Sequence, residues 1–256
     1  MPLPIDVKLM NATASVLFAG FGVLVAWGLV HWALRAPVLN LAGITVQGDT
    51  VHNSVATLRA NVAPRLAGNF FTLDLAKARE AFEAVPWVRN AVVRRQFPNR
   101  LRVLLQEHQP VAFWGPDGES RLVNSYGEVF EANVGDVEQD DLPRLSGPEG
   151  QSAAVLAMYR ALKPVFEPLD LTVEQLTLTN RGSWQAQLDS GAQIELGRGT
   201  QDEVLARTQR FTQTLTQAAG RYGRTPEAVV SADLRHTDGY ALRLRGVSTL
   251  TGDTKK

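Results

Sequence analysis

The sequence predicts an α+β protein built from three parts: a single N-terminal transmembrane helix, a small β-α-α-β-β unit, and a mixed β-sheet domain with flanking helices. Three observations predict it. Residues 12–34 carry no formal charge, and 17 of those 23 positions are apolar. After residue 40, apolar positions recur twice at helical spacing and then switch to alternation. Beyond residue 110, short alternating segments are divided by Gly, Asn and Asp turns.

The first element is the apolar run, whose centre reads VLFAGFGVLVAWGLV from Val16 to Val30. Its 23 residues would reach roughly 34 Å as a helix, against about 30 Å of hydrocarbon. His31 and Trp32 stand at its far end, where amphipathic rings favour the lipid–water boundary. A cleaved signal peptide fits less well. Pro37 follows the one small-residue site at Ala36, Leu34 sits three before the cut, and Lys8 is partly offset by Asp6. An uncleaved anchor is the expectation, with Lys8 and Arg35 on its two sides leaving orientation undecided by charge.

Next, Leu41–Val46 is a strand closed by a Gln47-Gly48-Asp49 turn. A short helix over 53–62 puts Val55, Leu58 and Val62 on one face. Gly68-Asn69 breaks the chain, and Thr72 or Asp74 can cap a second helix striped by Leu75, Ala78, Phe82 and Val85. Pro86 ends it. Two strands follow, Trp87–Phe97 and Leu101–Gln106, around Pro98-Asn99.

In the last part, Arg121–Val123 and Glu128–Phe130 flank a Ser125-Tyr126-Gly127 turn. A helix is expected from Ser152 to Leu162, stopped by Pro164. Strands over 174–179, 183–188 and 193–196 are joined by Arg181-Gly182 and Asp189-Ser190-Gly191. Thr200 and Glu203 form a capping-box pattern opening a helix striped by Val204, Thr208, Phe211, Leu215 and Ala218. A final hairpin, Val229–His236 and Tyr240–Arg245, turns at Thr237-Asp238-Gly239. Its last strand should be a sheet edge. There Leu242 and Leu244 face one way with Tyr240, and Arg243 and Arg245 face the other.

The 256 residues hold 26 basic and 26 acidic side chains and no cysteine. The absence of thiols excludes disulfide scaffolds, thiolate zinc sites and cysteine nucleophiles. Zero net charge argues against nucleic-acid binding through bulk charge, yet it conceals segments: residues 37–110 are net +4, 111–199 net −8 and 200–256 net +3. The histidines, His31, His52, His108 and His236, form no close pair. No G-x-S-x-G, P-loop or G-x-G-x-x-G occurs, and Gly197-Arg198-Gly199 reads as a strand end. Asp140-Asp141 reads as a solvated acidic loop. No enzyme, cofactor, metal or small-molecule substrate is expected.

Strand–helix–helix–hairpin just beyond a single span resembles a POTRA domain. More closely, NFFTLD, PWVRNAVVRRQFPNRLRVLLQEHQPVAFW, RLSGPEG, SWQAQLDSGAQIELGRG and VSADLRHTDGYALRL resemble, in order, the FtsQ/DivIB family of bitopic bacterial cell-division proteins. The resemblance implies a cytoplasmic tail at 1–11, a transmembrane helix at 12–34 and a POTRA domain at 38–109. An FtsQ-type β domain at 110–247 and a flexible tail at 248–256 complete it. It further implies a septal inner-membrane scaffold, N-terminus cytoplasmic and bulk periplasmic, that recruits FtsB and FtsL through the C-terminal edge strand.

Carried onto this chain, the partner surface comprises Arg235, His236, Asp238, Gly239 and Tyr240, with Leu242 and Leu244 supporting the edge. Two positions depart from the family pattern. His236 stands where many relatives have tyrosine, and Arg181-Gly182 stands where some have two arginines, so Arg181 would supply that contact. A second surface, at Asn90, Val93 and Arg95 on the POTRA hairpin, would meet upstream proteins such as FtsK. The rival expectation is a POTRA-type polypeptide-binding module in outer-membrane protein assembly or secretion. One such unit is found, without the alternating strands of a barrel.

Overall fold

The computed structural model describes residues 5–34, 40–137 and 142–248. Asp140-Asp141 and all of the tail except Ser248 lie outside the described residues. The chain divides after Glu107 into two compact units.

The first unit begins with α1, Ile5–Leu34, so helical backbone starts well before residue 12. Its stretch Met10–Trp32 has a mean hydropathy of 2.0, and none of that length is buried by protein. A helix apolar on every face and covered by none of the described residues is suited to lipid as its solvent. By length and composition it can cross a membrane once.

The β-α-α-β-β unit follows. Strand β1 (Gly43–Gly48) pairs in parallel with β3 (Arg100–Glu107), which pairs antiparallel with β2 (Val88–Gln96). The sheet order is β1-β3-β2. Helices α2 (Val55–Val62) and α3 (Leu75–Glu83) cover one face. Ser54 caps α2 by accepting from the Thr57 amide, and Asp74, rather than Thr72, caps α3 by accepting from Ala76 and Lys77. Leu58, Val62, Phe82, Val103 and Leu105 form the core between helices and sheet. Val55 does not join them: it is 56% exposed in the first turn of α2. The turn after β1 is held by buried Glu107, which accepts from the amides of Val51, His52 and Asn53 at 3.0 Å each. His52 stacks on Trp87 beside it at 3.9 Å.

The second unit is one nine-stranded sheet. Its strands, in chain order, are β4 (Pro110–Trp114), β5 (Arg121–Asn124), β6 (Val129–Glu131), β7 (Arg144–Ser146) and β8 (Val173–Leu178). They continue with β9 (Trp184–Leu188), β10 (Gln193–Gly197), β11 (Val229–Asp233) and β12 (Ala241–Leu244). The order is β12-β11-β10-β9-β8-β7-β4-β5-β6. Helix α4 (Ser152–Phe166) joins the parallel pair β7/β8, and α5 (Gln201–Gly220) joins the parallel pair β10/β11. Both crossovers step the same way along the sheet between strands of one direction. A common right-handed rule therefore lays both helices on one face. Phe166, Val204, Phe211 and Leu215 from the helices share a core with Leu176, Ala186, Ile194 and Ala232 from the strands.

Four local expectations are corrected. Pro164 lies inside α4 rather than ending it; so near the C-terminus it forfeits one intrahelical bond and the helix continues to Phe166. The buried stripe of α5 ends on Ala219, not Ala218. Strand β11 stops at Asp233, so Arg235 and His236 belong to the connection, and β12 starts at Ala241 rather than Tyr240. Strands β4 and β7 were not anticipated.

Candidate functional site

The C-terminal strand lies at the end of the sheet. β12 pairs with β11 from Asp233↔Ala241 to Val229↔Leu244, with a bulge between Val229 and Ser231. Among the described residues its other side meets no strand, so an edge of backbone donors and acceptors faces outward. Leu244 is buried and Leu242 partly buried, both against the core, while Ala241 and Arg243 are exposed.

The connection from 234 to 240 is pinned at both ends. Leu234 is buried and donates its amide to the Glu195 carbonyl at 2.9 Å. Tyr240 sets its ring edge-on to Phe211 at 5.0 Å, and its hydroxyl lies 2.9 Å from Thr214 Oγ1 on α5. Between these anchors His236, Asp238 and Gly239 are exposed. A Cβ on Gly239 would meet nothing within 4 Å.

Arg235 is fixed by its neighbour two residues back. Its Nε and Nη2 donate to the two carboxylate oxygens of Asp233 at 2.8 and 2.6 Å, and its amide donates to Oδ1 at 3.0 Å. Hydrogen bonding from the guanidinium holds the Asp233 carboxyl down to about 2. The aliphatic part of Arg235 passes over Gly197, where a Cβ would stand 2.9 Å from Arg235 Cγ. Gly197 has φ +83°, so the glycine is required by both conformation and close approach.

Arg235 also borders an open cleft of about 830 Å³ with Arg181, Arg198, Arg207, Gln185 and Glu195. Arg181 and Arg235, distant in sequence, thus meet at one concavity. Arg198 and Arg207 were not anticipated there. Arg207 donates to the Arg198 carbonyl, and its Nε is buried without an acceptor among the described residues. Four guanidinium groups against the carboxylates of Glu195 and Asp233 make the cleft cationic. A second cavity of about 230 Å³ abuts it through Arg207 and is lined by Thr214, His236, Asp238 and Tyr240. Such an arrangement can seat an acidic chain segment beside an open strand edge.

The residues of the second expected surface, in the first unit, separate instead of converging. Strand β2 is a sheet edge. Asn90 pairs with Gln106 and is exposed, whereas Val93 packs inward against the helices. Arg95 donates to the carbonyls of Phe70 and Leu73, both at 2.6 Å, and so ties the loop before α3 to the hairpin.

Comparison with known proteins places these features in a lineage. Residues 112–235 match the family described as cell division protein FtsQ/DivIB, C-terminal, and residues 39–108 match the POTRA domain, FtsQ-type. A cell division protein FtsQ from Burkholderia pseudomallei is 41% identical, covering 98% of both chains. Its counterpart from Thiomonas arsenitoxydans is 40% identical over 96% of this chain and 90% of its own. That from Bordetella pertussis is also 40% identical, over 91% and 86%. The C-terminal family match stops at Arg235, inside the 234–240 connection and short of β12.

Proposed function

The chain belongs to the FtsQ/DivIB family of cell division proteins, and from that premise we propose that it is a non-catalytic, bitopic inner-membrane scaffold of the divisome. In this reading the N-terminus is cytoplasmic and the two folded units are periplasmic, at the septum. The second unit recruits FtsB, which travels with FtsL, and through them influences septal peptidoglycan synthesis. What carries the reading is the pairing of an open β12 edge with the adjacent arginine cleft.

Each contributes a different part of recognition. A strand added to β12 forms main-chain hydrogen bonds worth about 0.5–1.5 kcal/mol each net of water. An acidic side chain of that strand meets Arg181 and Arg235, which fixes register and speeds encounter more than it adds affinity. The FtsQ-type match of the POTRA unit favours this reading over a polypeptide-binding module of outer-membrane assembly.

Arg235→Glu and Gly239→Glu test it. Both sites are exposed, and position 239 has open space for a side chain. Each variant should keep its circular dichroism spectrum and lose pull-down of the FtsB periplasmic segment. Retained capture by both would displace the site from this edge.

A further inference from the structure

The POTRA unit carries an aromatic cluster, one ring buried and two exposed, that the β12 edge does not use. Phe70 is buried and lies edge-on to Phe71 at 5.2 Å and to Phe97 at 6.5 Å. On that base Phe71 is 54% exposed and Phe97 83% exposed. Neither is a loose side chain on a loose loop. Asn69 Oδ1 accepts from the amides of Phe71 and Thr72, and Arg95 clamps the same loop to the hairpin. Two large rings are therefore held out into solvent by a built support, against the hydrophobic effect.

Their place in the fold says what should cover them. Phe97 is at the tip of the β2–β3 hairpin, and the first residue of β1, Gly43, pairs with Arg100 beside that tip. The Ala42 amide donates to the Asn99 carbonyl at 2.9 Å. The chain thus enters the unit at the end of the sheet where these rings stand. From Leu34, the last residue of α1, to Gly43 the backbone can reach at most about 30 Å.

Charge points the same way. From Ala84 to Gln106 there are five arginines, Arg89, Arg94, Arg95, Arg100 and Arg102, and no acidic residue. Arg94 and Arg100 are exposed on either side of Phe97. The carboxylates Asp49 and Glu107 belong to the opposite end of the sheet, and Asp74, nearer the rings, is occupied in capping α3.

We propose that this tip docks onto the anionic phospholipid surface of the bilayer that α1 crosses, with Phe71 and Phe97 entering the interface and Arg94 and Arg100 meeting headgroup phosphates. Aromatic rings and arginine are the pair of side-chain types that this boundary favours. Two rings alone would bind free vesicles weakly; the covalent tether makes docking intramolecular, so a weak contact suffices.

The proposal rests on α1 spanning the membrane, and one experiment separates the two. Because the chain has no cysteine, Gln96→Cys and Val23→Cys each give one nitroxide site in the full-length protein. The probe is proteoliposomes of phosphatidylglycerol and phosphatidylethanolamine, read by collisional access of oxygen against a nickel chelate. Docking predicts oxygen dominance at both positions, and a shift to nickel dominance at 96 alone after Phe71→Ser with Phe97→Ser, with circular dichroism unchanged. Nickel dominance at 96 with oxygen dominance at 23 overturns the docking and leaves the span. Nickel dominance at 23 overturns both. Oxygen dominance at 96 that survives the double serine variant also overturns the proposal, since the rings are then not the anchor.

Discussion

Arg235 is held by three constraints: the Asp233 carboxylate, the bare backbone of Gly197, and the pinned Leu234 before it. The consequence for Asp233 is measurable. Its carboxyl is held at about 2 instead of 3.8, with the Arg235 side-chain hydrogen bond as the largest cause. A lowered folded-state value stabilises the native protein above the unfolded-state value, and the contribution is lost as pH falls through the folded one. The window therefore runs from about 4 down to about 2. Because the guanidinium is largely exposed, solvent screening keeps the contribution small. Arg235→Ala should raise the Asp233 value toward 3.8 in a carboxyl-carbon NMR titration. A value still near 2 would mean that another group holds it. Arg181 and Arg235 were singled out in the sequence through the family resemblance of their motifs. Arg198 and Arg207 were not, because one follows β10 and the other lies on α5, and only tertiary packing brings them to one cleft.

Between elements, the critical junction is the one joining the 234–240 connection to α5. It depends on the Tyr240 ring against Phe211 and the hydroxyl contact with Thr214. Tyr240→Phe keeps the ring and removes the polar contact, so unfolding in urea should show a loss of about 0.5–1 kcal/mol. No loss would show the hydroxyl to be satisfied equally by water. Elements with local punctuation were readable in advance. The Thr200–Glu203 capping box forms as its spacing requires, and the Asp74 cap was one of two candidates. The buried stripe of α5 ends on Ala219 with Ala218 half-buried beside it, because one turn of 3.6 residues after Leu215 falls between the two and spacing alone does not choose. Strands β4 and β7 escaped notice for a different reason. β7 has three residues and pairs in parallel on both sides, so its partners are remote in sequence and no turn advertises it.

For the molecule as a whole, a formal charge of zero resolves into regions with different work. The basic first unit sets Arg94 and Arg100 beside an aromatic tip, and the second sets four arginines around a cleft beside an open edge. In the proposed function β12 receives a partner strand. Amide hydrogen exchange of residues 241–244, free and with the FtsB periplasmic segment, tests it most directly. Strand addition predicts that these edge amides become strongly protected in the complex, together with slowed exchange around 235–240. Formation of the complex with unchanged exchange at 241–244 would contradict it.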